Sequence, residues 1–276
     1  MLENFLRAWD IDILLVQEVT KQVLREFRGY STLYNIGTNG RGTAIIAREG
    51  TTLENLTRIP PGRAIAANFK DCWIINFYAP SETARRQDRE IFYSCELPHV
   101  LSQASRNVLM AGDFNCTLEQ GDSAGALNHC RALTELLRSM ELRDAWNRSA
   151  ERQGYTHYSV NGASRLHRIY VTKDLSRRKQ GPEMIVATFT DHFGLSLHLK
   201  LNVSILRLGR GYWKLDGTLL EDSTITQQLT TLCIQLQQQQ QNVFLMHQCG
   251  GTDSANVYLH ISCNGLKRKD TGNIGL

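Results

Sequence analysis

Along residues 1–203, short apolar runs that each end on polar residues alternate with stretches whose apolar residues recur at helical spacing. Ile13-Leu-Leu-Val16, Thr43 to Arg48, Ala64 to Phe69, Trp73 to Phe77 and Val108-Leu-Met-Ala111 are apolar at nearly every position. A strand with one wet face would alternate polar with apolar, so all five read as strands, and Ile13–Val16 and Val108–Ala111 as buried ones. Leu2, Phe5, Leu6 and Trp9 fall on one face of an amphipathic helix, and the pattern turns helical again from Glu82 to about Ser105. A further helix carries Leu127, Leu133, Leu136, Leu137 and Met140 as its stripe. Residues 30 to 78 read as an antiparallel meander, with a hairpin loop at Gly37-Thr-Asn-Gly-Arg-Gly42 and a break at Pro60-Pro-Gly62. Tyr155 to Ser159 and Arg168 to Val171 read as strands paired around Asn161-Gly162, and Leu195 to Leu201 alternates as a last strand. Strands interleaved with covering helices predict an α/β domain that ends near Val203.

Beyond that point the pattern fades. Residues 204–242 read as a connector that includes the Gln-rich stretch Gln227 to Gln241, and residues 243–276 show no periodicity and read as a poorly ordered tail. The bulk numbers fit a soluble globular protein: 42% hydrophobic, 21% charged, net charge +4. That charge is too small to indicate nucleic-acid binding alone, but basic residues cluster at Arg85-Arg86-Gln-Asp-Arg89, at Arg165 and Arg168, and at Arg177-Arg-Lys179, where they suit phosphate contacts. The 7 cysteines include no CxxC pair, which argues for reduced thiols and against a zinc site. There is no signal-peptide pattern and no apolar run of membrane-spanning length, so an intracellular protein without membrane contact is expected. No protein partner is predicted.

The polar ends of the strands carry the candidate chemistry. Val108 to Ala111 runs into Gly112-Asp-Phe-Asn115, which puts a carboxylate and a carboxamide at the end of a buried strand with the same side-chain direction. Asp and Asn after Gly are also ordinary turn formers, so this signal needs company. It has company in Ile13-Leu-Leu-Val-Gln-Glu18, in Trp73-Ile-Ile-Asn-Phe-Tyr-Ala-Pro80, in Ser164-Arg-Leu-His-Arg-Ile-Tyr-Val171 and in Thr190-Asp-His192.

In this order and spacing the stretches resemble the endonuclease/exonuclease/phosphatase superfamily, with the greatest likeness to the apurinic-type endonuclease domain of non-LTR (LINE-like) retrotransposons. The resemblance covers about Met1 to Val203 and implies a deoxyribonuclease I-like, two-sheet α/β sandwich with outer helices. It also implies a phosphodiester hydrolase acting on DNA with Mg2+ or Mn2+, nuclear if functional. In the family a strand bearing an Asn precedes the first helix. Here Met1 begins inside that helix, so the N-terminal strand is missing and an unpaired sheet edge is expected. By resemblance Glu18 is the principal metal ligand, with Asp191 beside the metal. Asp113 takes or orients the proton of the attacking water, Asn115 holds water and phosphate, and Tyr78 donates to a phosphate oxygen. Asp191 and His192 form the closing pair, whose His stabilises the charge that builds on phosphate. Thr156, Ser164 and Arg165 are candidate substrate contacts.

His167 departs from the pattern, which has Asp there to orient the catalytic His. Loss of that carboxylate removes support for an imidazolium at His192. Two readings stay open: an impaired endonuclease, and a DNA-binding relic without turnover.

Overall fold

The computed structural model describes residues 2–24, 27–81, 85–104, 107–125, 127–146, 154–159, 162–186, 192–201 and 254–259, together with 227 and 231. In chain order the elements are α1 (Leu2–Ala8), β1 (Ile13–Val19), β2 (Tyr30–Ile36), β3 (Gly42–Arg48), β4 (Glu54–Ile59), β5 (Ala64–Phe69) and β6 (Cys72–Tyr78). There follow α2 (Arg86–Ile91), a π-helical stretch Phe92–Glu96, α3 (Leu97–Leu101), β7 (Asn107–Asp113), α4 (Arg131–Ser139) and β8 (Arg143–Asp144). The remainder are β9 (His157–Ser159), β10 (Gly162–Ser164), β11 (His167–Val171), α5 (Lys173–Ser176), β12 (Lys179–Val186), β13 (Phe193–Lys200) and β14 (Ser254–Leu259).

The strands form two six-stranded sheets, ordered β12-β13-β14-β1-β3-β2 and β4-β5-β6-β7-β11-β8, with β9 and β10 as a separate pair. Their near-continuous apolar runs follow from what covers each face. Ile13 and Leu15 of β1 point between the sheets, where they meet Ile65, Ile74, Leu109 and Ile169 of the second sheet. Leu14 and Val16 point the other way, against Leu6 and Ile11. On the far side, Trp73, Ile75, Val108 and Met110 pack against Phe92, Leu97, Leu133 and Leu136 of the helices. The result is the two-sheet α/β sandwich with outer helices that the sequence predicts.

Three details differ from the sequence reading. The expected meander of residues 30 to 78 is divided: β2 and β3 pair in the first sheet, whereas β4, β5 and β6 pair in the second. Strands covered on both faces carry no label for the sheet they join. β11 does not pair with β9 but lies antiparallel to β7, with His167 opposite Asp113, while β9 takes the short β10. The third difference is at the edge expected to be open beside β1. Ser254–Leu259, in the stretch expected to be poorly ordered, lie parallel to β1 and antiparallel to β13, with Lys200 opposite Ser254. Val257, Tyr258 and Leu259 suit a strand by type, but a run this short has no periodicity to announce it, and flanking edges on both sides give it partners.

Met1–Leu201 with Ser254–Leu276 make one compact unit and Asn202–Asp253 a second. In the second, Gln227 and Thr231 are described as helical, and the Thr231 hydroxyl donates to the Gln227 carbonyl at 2.9 Å.

Candidate active site

The sandwich brings the polar ends of β1, β6 and β7 together. β6 and β7 run parallel, with Tyr78 beside Asp113 at their last pair. Their close approach depends on Gly112, where a Cβ would lie 2.0 Å from the Phe77 carbonyl oxygen. In β1 the pairing with β3 shifts register between Val16 and Val19, and Glu18 sits there with φ +54°. A bulge of this kind re-aims one side chain, here bringing Glu18 to the Tyr78 hydroxyl, which hydrogen-bonds its carboxylate and Ser81. Burial, with Glu18 next, pushes the Tyr78 phenol well up, so it remains a donor. Arg41 pairs with Glu18 at 3.0 Å. The cavity they face holds about 350 Å³ and is lined also by Arg63 and Arg85.

Asp113 is 2% exposed. Burial raises its pKa, opposed first by the Asn115 backbone N–H and then by His192, His157 and Arg168. The Asn115 N–H donates to Asp113 Oδ1 at 2.9 Å, and Asn115 Nδ2 donates to the Ala79 carbonyl at 2.9 Å. The turn-forming role of this pair is therefore realised.

Thr156 settles the protonation of His167. Its hydroxyl oxygen accepts the backbone N–H groups of Leu166 and His167, each at 3.1 Å, which fills both lone pairs. Its own hydrogen is left for His167 Nδ1 at 2.9 Å. Nδ1 is thus an acceptor, and the neutral ring carries its proton on Nε2. Burial, then His157 and Arg168, hold the imidazole down at about 3, so it stays neutral at ordinary pH. Nε2 faces Asp113 Oδ2 at 3.9 Å, beyond hydrogen-bonding distance. The ring stands at 90° to His192 with centroids 4.9 Å apart. What supports His192 from position 167 is therefore an uncharged edge.

Other sequence candidates are held by the protein itself. Arg165 is 2% exposed and bidentate to Asp144, at 2.7 and 2.9 Å. Arg168 donates to the Cys116 carbonyl and to Asp122, both at 2.9 Å, and Arg89 donates to the Pro80 carbonyl at 2.8 Å. These buried guanidinium groups brace loops. Thr156 is fully buried behind His167, and Ser164 pairs with His157 in β10. Asp191 lies outside the described residues. Sequence reasoning passed over Arg41 and Arg63, which sit in loops without periodicity, and His157, which the resemblance does not mark.

The model of the Endonuclease/Exonuclease/phosphatase family matches residues 1–192. The chain belongs to this family. The transposon TX1 uncharacterized 149 kDa protein of Xenopus laevis is 27% identical over 178 residues, 60% of this chain and 13% of that protein, so the chain spans a small part of its relative's length. Among solved structures, the endonuclease domain of TRAS1, a telomere-specific non-LTR retrotransposon, aligns with TM-score 0.55 and 16% identity over 72% of this chain and 90% of that domain. The 3′ phosphatase NExo from Neisseria, bound to product DNA hairpin, aligns with TM-score 0.59 and 16% identity over 70% of this chain and 90% of its own. The chain is an endonuclease/exonuclease/phosphatase domain related to retrotransposon endonucleases, and Glu18, Tyr78 and Asp113 lie at its strand ends.

Proposed function

We propose that this domain is a DNA endonuclease derived from a non-LTR element, acting in the nucleus with magnesium or manganese, and that His167 slows it. The reading rests on one observation above the rest: residues scattered through the sequence gather at one end of the sandwich, where Tyr78 hydrogen-bonds Glu18 and pairs in register with Asp113, whose carboxylate feels the charge of His192. The arginines at 41, 63 and 85 suit a polyanion.

A hard divalent cation suits a carboxylate such as Glu18, which now pairs with Arg41. Among the described residues no three His, Cys, Asp or Glu side chains converge on a metal site. Magnesium takes one or two carboxylates and keeps water in its other positions. Glu18 would hold it, with Asp191 by resemblance, and the ion would offset phosphate charge. Asp113 accepts the proton of the water that attacks phosphorus, while the bond to the leaving sugar oxygen breaks and that oxygen is protonated from solvent. Asn115 helps hold the water and the phosphate. Tyr78 turns its hydroxyl from Glu18 to a phosphate oxygen, and His192 donates to another.

Nicking of supercoiled plasmid in magnesium tests this. The expected result is slow nicking that EDTA stops; nicking that persists in EDTA, or none from folded protein, overturns it. Absence of nicking with salt-sensitive binding would establish the relic, a reading favoured by the neutral ring beside His192. In the same assay His167→Asp is expected to raise the rate at least about tenfold, because it restores an orienting carboxylate. An unchanged rate would mean that the His192 pair does not limit turnover.

A further inference from the structure

His157 has no part in the mechanism above, yet it stands beside His192. It begins β9 and forms an isolated antiparallel bridge with His192, next to the Phe193 N–H that donates to the Thr156 carbonyl at 2.9 Å. Residues directly opposite across such a bridge project from the same face. The two imidazole rings accordingly lie 4.7 Å apart, tilted by 44°. A second ring pair, Tyr158 against Phe193 at 5.6 Å, holds the neighbouring position in register. Behind both imidazoles, His167 is fixed to Thr156 and fully buried. His157 itself is half-buried, and Asp113 senses its charge as well as that of His192.

We infer that His157 is a second phosphate-binding side chain, which with His192 clamps one phosphodiester of a nucleic-acid strand. A phosphate presents acceptor oxygens in a tetrahedral array, so two adjacent N–H donors engage different oxygens of the same group. The inference rests on the nuclease reading for its ligand class. It does not rest on turnover.

The test is binding of a short fluorescent DNA duplex in EDTA, read by anisotropy, alongside plasmid nicking in magnesium. His157→Ala is expected to weaken binding about tenfold, the scale of a hydrogen bond to a charged group. His157→Asn, which keeps a donor, is expected to recover part of it, with the melting temperatures of both variants unchanged. An alanine variant that binds and nicks as the wild type does overturns the clamp, and so does a wild type with no measurable binding. His157-dependent binding by a wild type that never nicks keeps the clamp and sinks the nuclease reading. Wild-type nicking with an indifferent alanine variant does the reverse.

Discussion

Asp113→Asn is expected to lower plasmid nicking by about two to four orders of magnitude, the range a positioned general base supplies, while the protein melts as before. The substitution preserves shape and keeps an oxygen for the Asn115 N–H that now donates to Asp113 Oδ1 at 2.9 Å. What it removes is the ability to take a proton. It also removes a buried charge, which explains the expected stability: burial already disfavours the carboxylate, whose pKa is raised. The same shift sets a pH dependence. The base works only when ionised, so wild-type nicking should fall as pH drops through a value above the ordinary carboxylate range. Single-turnover rates measured across the acid range would show it. A variant that nicks at the wild-type rate would remove Asp113 from the chemistry.

Asp122→Ala is expected to destabilise the fold by about 3–5 kcal/mol, the loss seen when one partner of a buried ion pair is removed. Asp122 is 1% exposed. One of its oxygens accepts the backbone N–H groups of Leu118 and Glu119 at 2.8 and 2.9 Å and the Arg168 guanidinium at 2.9 Å. Alanine strands those donors and leaves Arg168, itself 1% exposed, with its charge unbalanced. Urea unfolding measures the difference. The double change Asp122→Ala with Arg168→Met should recover much of it, since replacing both partners by apolar groups avoids an orphaned charge. Loss of less than about 1 kcal/mol would show that water reaches this pair, as it does for exposed ones.

How far the sequence could be read depends on the kind of signal. β1 and β7 are legible because strands covered on both faces must be apolar throughout, and the polar residue that ends each run marks the cleft. Glu18 and Asp113 were found this way. The bulge that turns Glu18 toward Tyr78 was not, because a register shift is a property of two strands together. Arg165 shows the opposite error. In a linear chain it looks like a phosphate ligand, but its partner Asp144 comes from another strand and holds it inside. His167 could be read in the sequence only as a departure from the pattern that the resemblance implies. Its tautomer was not legible, because it follows from two backbone N–H groups that fill the lone pairs of Thr156. His157 and Arg41 carry no periodic pattern at all; only the fold puts them at the site.

β14 has a topological consequence. Lys200 and Ser254 face each other across neighbouring antiparallel strands, so two segments 54 positions apart in the chain pair as sheet neighbours. Loop closure grows only with the logarithm of length, about 2 kcal/mol for each tenfold. The separation in sequence therefore weighs little against the pairing of β14 with its two neighbours. A slip of one residue at Ser254 is another matter, since it would exchange the inward and outward faces of the whole strand. The pairing of β14 is tolerant of separation in sequence and intolerant of phase.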